Sequence, residues 1–408
     1  MTRVAPAPPA TRAAGGLGAR WRHLPWWGRA LVVFAASRVV TTLLFLWVGT
    51  QATTASRAGA HPSLVDLGVA WDGEWYRIVS VFGYPATLPL AANGSVDTNA
   101  WAFLPVWPYL VKLLSFGQVA AWAPVAIVLA TLCGFAAAVL LGLLLRPHIG
   151  EERAGFAVAV FAFSPLSFVL QTAYAESLGL VLLLGALCLA DRGRYLAAIP
   201  VAVALAFTRP ESLALALAVG VQLGIRLVGA ARGGVAVPPR ETRGAAALVA
   251  VSIVAGFAWP VIAAAGTGVP DAYFQTEQAW RALWMPGTDF AYFTPWLFAA
   301  DFWFGPVAGP VVLAVLVVGF ALTLFARPVR RLGVLVRLWC AAYGLYLLAV
   351  FFPQSSVFRL LMPMAPLAGA VVPRSPPLRI GLLAASVALQ GLWLWCTYGP
   401  FQAYWSVP

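Results

Sequence analysis

The sequence predicts an all-α, polytopic membrane protein on three observations: 62% of its 408 residues are apolar, 10% are charged, and the mean hydropathy is +0.85. A soluble chain is about one quarter charged, so this one has too few ionisable side chains to cover a water-facing surface. Lipid must cover most of it. Apolar windows of about 19 residues, broken at Arg, Gly and Pro, place eleven transmembrane helices. They fall near residues 30–50, 119–145, 154–172, 177–190, 195–208, 211–226, 245–265, 306–326, 334–352, 360–373 and 380–397. Together they form one domain, residues 30–408. A basic tail, residues 1–29, rich in Arg, Pro, Ala and Gly, is expected to be disordered and to touch anionic lipid.

Charge sets the direction of the chain. With the N-terminus inside, 19 of the 26 basic residues fall on cytoplasmic segments, and six on outer ones: Arg57, Arg77, Lys112, Arg209, Arg281 and Arg359. Arg38 lies inside the first span, where it is expected to snorkel or to pair with a buried carbonyl. The expectation is a multi-pass protein of the plasma membrane with its N-terminus cytoplasmic and its C-terminus extracytoplasmic. The net charge of +12 therefore reflects topology, and no nucleic-acid partner is expected. Ten of the fourteen carboxylates fall outside: Asp66, Asp72, Glu74, Asp97, Glu176, Glu211, Asp271, Glu277, Asp289 and Asp301. Acidic residues contribute little to topology, so function at the outer leaflet is the reading taken for that enrichment.

Cys133, Cys188, Cys340 and Cys396 are scattered through spans without metal-ligand spacing, and no disulfide is expected. His23, His61 and His148 are isolated, so no metal site is assembled from them. One Lys against 25 Arg is the residue choice of a GC-rich bacterial genome and carries no mechanism.

The first outer loop, residues 51–118, is too long for a mere connection. Its centre reads WDGEWYRIVSVFGYP from Trp71 to Pro85, with Asp72 and Glu74 among Trp71, Trp75 and Tyr76. Trp75, Ile78, Val79 and Phe82 recur at helical spacing, which predicts an amphipathic helix in the interface. A second interfacial segment is expected over residues 100–114. A carboxylate among apolar groups is disfavoured in its charged form and suits a general base. Asp72 also suits a helix N-cap, and Glu74 with Arg77 an i,i+3 surface pair.

Three further charged blocks stand at outer helix ends: AYAES at 173–177, TRPES at 208–212 and SSVFRLLMP at 355–363. Arg209 and Arg359 have the forked guanidinium that binds phosphate. Glu176 and Glu211 are placed to accept from sugar hydroxyls, to pair with those arginines, or to sit favourably at helix starts. Asp72 and Glu74 offer hard oxygens to a divalent cation, but no metal and no cofactor is predicted.

WDGEWYRIVSVFGYP resembles the tryptophan-aspartate block of the PIG-V-like mannosyltransferases, relatives of GPI mannosyltransferase II in the GT-C class. AFLPVWPYL at 102–110, FSPLSFVLQTAYAESLGL at 163–180 and TRPESL at 208–213 follow in the family's order, so the likeness spans residues 30–373. The chain departs from the family at Glu74, where a histidine is frequent, and at Pro210 and Glu211. The resemblance implies a GT-C-like bundle and transfer of mannose from a polyprenyl-phosphate-mannose donor to a lipid- or protein-linked acceptor. It also implies that Asp72 is the catalytic base, with inversion at the sugar. Glu74, Arg77, Glu176, Arg209, Glu211 and Arg359 are the candidate substrate-binding residues. The alternatives are a transporter or flippase for a polyprenyl-linked sugar or other amphipathic lipid, and a noncatalytic subunit of a glycosylation complex. Transporters place ionisable groups near the midplane in repeated halves, whereas these charges cluster at one face.

Overall fold

The computed structural model describes residues 21, 23–285, 287 and 291–400. Most of the expected tail, and Asp289, lie outside the described residues. The chain opens with α1 (Trp26–Gln51), then two short helices, α2 (Leu64–Val69) and α3 (Asp72–Phe82), a 3-10 turn (Ala100–Ala102) and α4 (Val106–Leu114). The bundle continues through α5 (Val119–Ile149), α6 (Glu151–Ala162), a 3-10 turn (Ser167–Gln171), α7 (Glu176–Asp191), α8 (Tyr195–Ala206), α9 (Ser212–Ala231) and α10 (Pro239–Thr267). The last part holds α11 (Ala272–Ala282), α12 (Thr294–Thr323), α13 (Arg327–Arg330), α14 (Val334–Val350), α15 (Val357–Leu360), a 3-10 segment (Met362–Ala370) and α16 (Pro376–Tyr398).

The described residues contain no strand. Among the described residues six helices, α1, α5, α9, α10, α12 and α16, are long and apolar enough to cross a membrane, and α8 and α14 are shorter apolar helices. That count falls below eleven because several expected crossings are short or broken.

Contacts sort the helix ends into two groups. At one end Arg29 pairs with Glu151 at 2.6 Å, Arg379 with Glu152 at 2.7 Å, and His148 Nε2 meets Asp191 at 3.1 Å. At the other end Ser56 Oγ donates to Gly399 O at 2.8 Å, Phe293 N to Ala349 O at 2.9 Å, and Arg281 Nη2 to Val350 O at 2.8 Å. The first group gathers the arginine-rich turns. The second gathers α2, α3 and the charged blocks.

The span expected over 154–172 is not one helix. α6 stops at Ala162, because Pro165 has no N–H to continue the ladder and disfavours a helical residue before it. Irregular backbone at membrane depth must be satisfied by protein. Arg38 does this as expected, donating from Nη1 to Ser167 O at 2.7 Å and from Nη2 to Ala162 O at 3.0 Å. Gln390 of α16 donates to Ser164 O at 3.0 Å and to Ser167 Oγ at 2.6 Å, and its own carbonyl accepts from Thr41 at 3.0 Å.

Other boundaries differ for physical reasons. The span expected over 360–373 is α15 plus a 3-10 segment, since Pro363 and Pro366 remove helical donors; Trp339 Nε1 instead donates to Pro363 O at 2.9 Å. The first span starts at Trp26, so residues 26–29 are helix and not tail, with Arg29 Nε bonded to Leu24 O. α12 begins twelve residues before its expected start at 306, across a break at Gly305, whose φ of 80° suits glycine. Asp301 had hidden that first half. α11 was read as connection because Gln275, Thr276, Glu277, Gln278 and Arg281 make it too polar to score as a span. Helices α3 and α4 form within the two segments expected to be interfacial, residues 71–85 and 100–114. All four cysteines are free.

Arg38→Leu would orphan two buried carbonyls, each worth about 1–3 kcal/mol when unpaired. The melting temperature of the detergent-solubilised variant should fall well below that of the wild type, with Arg38→Lys between the two. An unchanged melting temperature in Arg38→Leu would show that the broken segment holds itself.

Candidate functional site

Asp72 owes its position to a tight corner. A capping box starts α2, in which Ser63 and Asp66 bond each other's backbone N–H groups. The chain then turns through Trp71, which has a φ of 68°, a strained value for a bulky side chain. Tyr174 Oη donates to Ala70 O at 2.8 Å, and Ala173 N to Gly68 O at 2.7 Å, so the segment before α7 is stitched to this corner. Trp107 Nε1 of α4 donates to Ala173 O at 3.0 Å and fixes the same segment from the other side. Asp72 is therefore the first residue of α3 and not its cap; the cap position is Trp71, without a side-chain bond.

Five charged side chains meet beside this corner and alternate in sign. Asp72 Oδ2 lies 2.7 Å from Arg359 Nη1, and Arg359 Nε lies 3.1 Å from Glu176 Oε1. Glu176 Oε1 is also 3.4 Å from Arg209 Nη1, and Arg209 Nε is 4.0 Å from Glu211 Oε1. Arg359 further lies 5.3 Å from the Tyr174 ring centroid, a cation–π distance. Glu176 opens α7 and Glu211 precedes α9, so both sit where helix dipoles favour negative charge.

Access is uneven along the chain of charges. The Asp72 side chain keeps 23% of its surface, against 13% for Arg209, 8% for Arg359 and 4% for each glutamate. Asp72 is thus the open end. Several buried polar atoms make no aligned hydrogen bond: Arg359 Nε and Nη1 and Glu176 Oε1, which are held in ion pairs, and Glu176 Oε2, Glu211 Oε2 and the Trp71 indole N–H, which are not. Such atoms can accept from hydroxyls and donate to an anion.

Arg209 reaches Glu176 across the first turn of α7, where its stem lies over Gly179; a Cβ there would sit 2.7 Å from Arg209 Cγ. Burial works against the charge of Arg209, but Glu176 beside it holds the guanidinium above its ordinary value. Burial pushes Glu211 up to about 7, with Arg209 opposing and Glu176 reinforcing the rise.

Five of the seven expected residues thus come together: Asp72, Glu176, Arg209, Glu211 and Arg359. Glu74 does not join them; it pairs with Arg57 instead of Arg77, and Arg57 also lies 4.9 Å from the Trp71 ring centroid. Arg77 is exposed on α3. Positions 74 and 77 point away because an α-helix turns about 100° per residue, which carries them off the face of residue 72. Tyr174 was missed as a partner of Arg359, although it stands two residues before Glu176 in the AYAES block. Trp71 was read as one aromatic among three, and nothing in the sequence marks its backbone strain.

Among the described residues no group of three His, Cys, Asp or Glu side chains is placed to hold a metal ion. Asp72 and Glu74, the pair considered for a cation, are engaged by different arginines. No protein-family model matches the chain, and no curated protein matches it.

Gly179→Ala should displace Arg209 and reproduce much of the effect of Arg209→Ala on ligand binding, without adding or removing charge. Wild-type binding in Gly179→Ala would refute the close approach. A carboxyl raised from 4.5 to about 7 by burial stabilises the fold fully below its unfolded value, and that stability is lost as pH rises through about 7. The Glu211 contribution is on the order of 3 kcal/mol. Melting temperature should therefore fall between about pH 5 and pH 8, and Glu211→Gln should flatten that fall.

Proposed function

We propose that this chain is a membrane glycosyltransferase of GT-C type. It moves mannose from a polyprenyl-phosphate-mannose donor to a lipid- or protein-linked acceptor, with Asp72 as general base. The observation that carries this reading is the convergence of Asp72, Arg359, Glu176, Arg209 and Glu211 into one buried cluster with a single accessible carboxylate. These residues come from four separate blocks of sequence, and three of those blocks belong to the family resemblance.

The acceptor hydroxyl approaches Asp72 from its open side and gives its proton to the free carboxylate oxygen. The hydroxyl oxygen attacks the anomeric carbon, a new glycosidic bond forms, and the bond from that carbon to the phosphate oxygen breaks with inversion. Polyprenyl phosphate leaves as an anion toward Arg359 and Arg209, whose fixed charges stabilise it as it develops. Glu176 touches both guanidiniums and holds them in register. Glu74 and Arg77, turned off the face of Asp72, take no part in this step. No cofactor takes part in this scheme.

The topology that suits it has eleven passes between the two ends, counting the broken segment after α6 and the 3-10 segment after α15 as reduced crossings. The arginine-rich end then faces the cytoplasm by the positive-inside rule, and the cluster faces outward in the plasma membrane, where a lipid-linked donor presents its headgroup.

Asp72→Asn should abolish mannosyl transfer from labelled polyprenyl-phosphate-mannose in reconstituted membranes while the protein stays inserted and folded; full activity there would dismiss the base assignment. Arg209→Ala, three links from Asp72, should mainly raise the KM for donor, whereas Arg359→Ala, in contact with Asp72, should lower kcat as well. Donor kinetics unaltered in both would remove the phosphate role. Movement of donor across the bilayer by purified protein, with no new glycoside formed, would favour a flippase.

A further inference from the structure

At the end of the bundle opposite the charge cluster, a cavity of about 410 Å3 opens between the α7–α8 turn and the first turn of α10. It lies within the size range of small-ligand sites. Arg194 and Arg240 line it, together with Tyr195 and Glu241. Neither guanidinium has an ion pair or hydrogen bond to another described residue. Four other arginines at this end are engaged, Arg29 with Glu151, Arg379 with Glu152, Arg226 with Glu241 and Arg192 with Cys188 O; Arg194 and Arg240 differ from the remaining ones in lining one cavity together.

Two exposed arginines without an internal counter-ion therefore line one concavity. The acid in its wall does not cancel them, because Glu241 is held 2.8 Å from Arg226, which also donates to Tyr195 Oη at 3.3 Å. The backbone adds to the same sign. Tyr195, Leu196 and Ala197 at the start of α8, and Arg240 and Glu241 at the start of α10, are first-turn residues whose N–H groups have no intrahelical acceptor. Leu196, on the cavity wall, is 57% exposed, so apolar surface continues directly from the charged mouth.

We propose that this cavity binds a phosphate-bearing anion, presented by the headgroup of a membrane phospholipid whose chains lie along α8 and α10. The guanidiniums would grip the phosphate oxygens, and the exposed leucine would meet the start of an acyl chain. Such a lipid would tie together the near ends of α8 and α10, while the far end of α8 leads into Arg209. The proposal rests neither on the direction of the chain in the membrane nor on the reaction at the other end.

The test uses the full-length protein in detergent, titrated separately with phosphatidylglycerol, phosphatidylcholine and inorganic phosphate, with melting temperature and native mass spectrometry as readouts. Phosphatidylglycerol should raise the melting temperature and bind, and Arg194→Gln/Arg240→Gln should weaken that binding about thirtyfold. Arg232→Gln, at the same end but outside the cavity wall, should change it by less than about twofold. The unliganded melting temperature of the double variant reports whether it folds; Arg194→Lys/Arg240→Lys, which keeps both charges, should retain most of the affinity. Equal binding of phosphatidylglycerol by wild type and the glutamine double variant would overturn the site, as would an equal response to phosphatidylcholine. Inorganic phosphate matching the lipid at equal concentration would keep the anion site and overturn the lipid as its source.

Discussion

The constraint on which the rest depends is that two glutamates and two guanidiniums are largely withdrawn from water at one end of an apolar bundle, with the carboxylate of Asp72 at the open edge of the same cluster. Removing ions from water is expensive, and their mutual attraction repays this only with good geometry and further hydrogen bonds. Here several of those bonds are missing, so stability alone does not account for the cluster. Charge balance explains how it is tolerated. Asp72 and Glu176 offset Arg359 and Arg209, which leaves Glu211 as the odd charge. Glu211 is also the group that burial drives toward its neutral form.

The cluster exists because the surrounding backbone is irregular. A continuous helix over 154–172 would carry its regular ladder past the point where the chain now breaks. Instead the chain stops at Ala162, runs through Pro165 and a 3-10 turn, and restarts at Glu176. The break frees backbone groups at depth, and α1 and α16 supply Arg38 and Gln390 to bond them. The α2–α3 corner is tied to the far end of the same segment through Gly68, Ala70, Ala173 and Tyr174. One interrupted stretch thus sets the position of Glu176 from below and of Asp72 from the side.

Much of this was legible in the sequence. The long apolar runs that became α5, α10 and α16 were unambiguous, and the spacing of Trp75, Ile78, Val79 and Phe82 marked α3 as interfacial. The first-loop acid motif and the charged blocks at helix ends identified five residues that meet in space, because ionisable groups in so apolar a chain have few other reasons to be there. What could not be read has a common cause. Hydropathy sums over a window and is blind to the single residue that ends a helix, so Pro165 and Pro363 were absorbed into expected spans. The same averaging lost α11, a helix whose polar residues hide it. Glu74 and Arg77 were grouped with Asp72 by adjacency along the chain, whereas helical rotation turns them to other partners.

Two buried arginines separate structural from functional polarity in this fold. Arg38 and Arg359 are 6% and 7% exposed, so desolvation weighs on both alike. Each guanidinium nitrogen of Arg38 donates to a serine oxygen or a backbone carbonyl, and its network closes on itself. Arg359 has strong charge partners but leaves two of its nitrogens without an aligned acceptor, next to a glutamate whose two oxygens are equally unaligned. A satisfied buried ion fixes backbone, as Arg38 does for the broken segment. An unsatisfied one, beside an accessible carboxylate, retains the capacity to bind something else. Placed at a helix-end corner, that capacity is what the proposed lipid-linked substrate would call on.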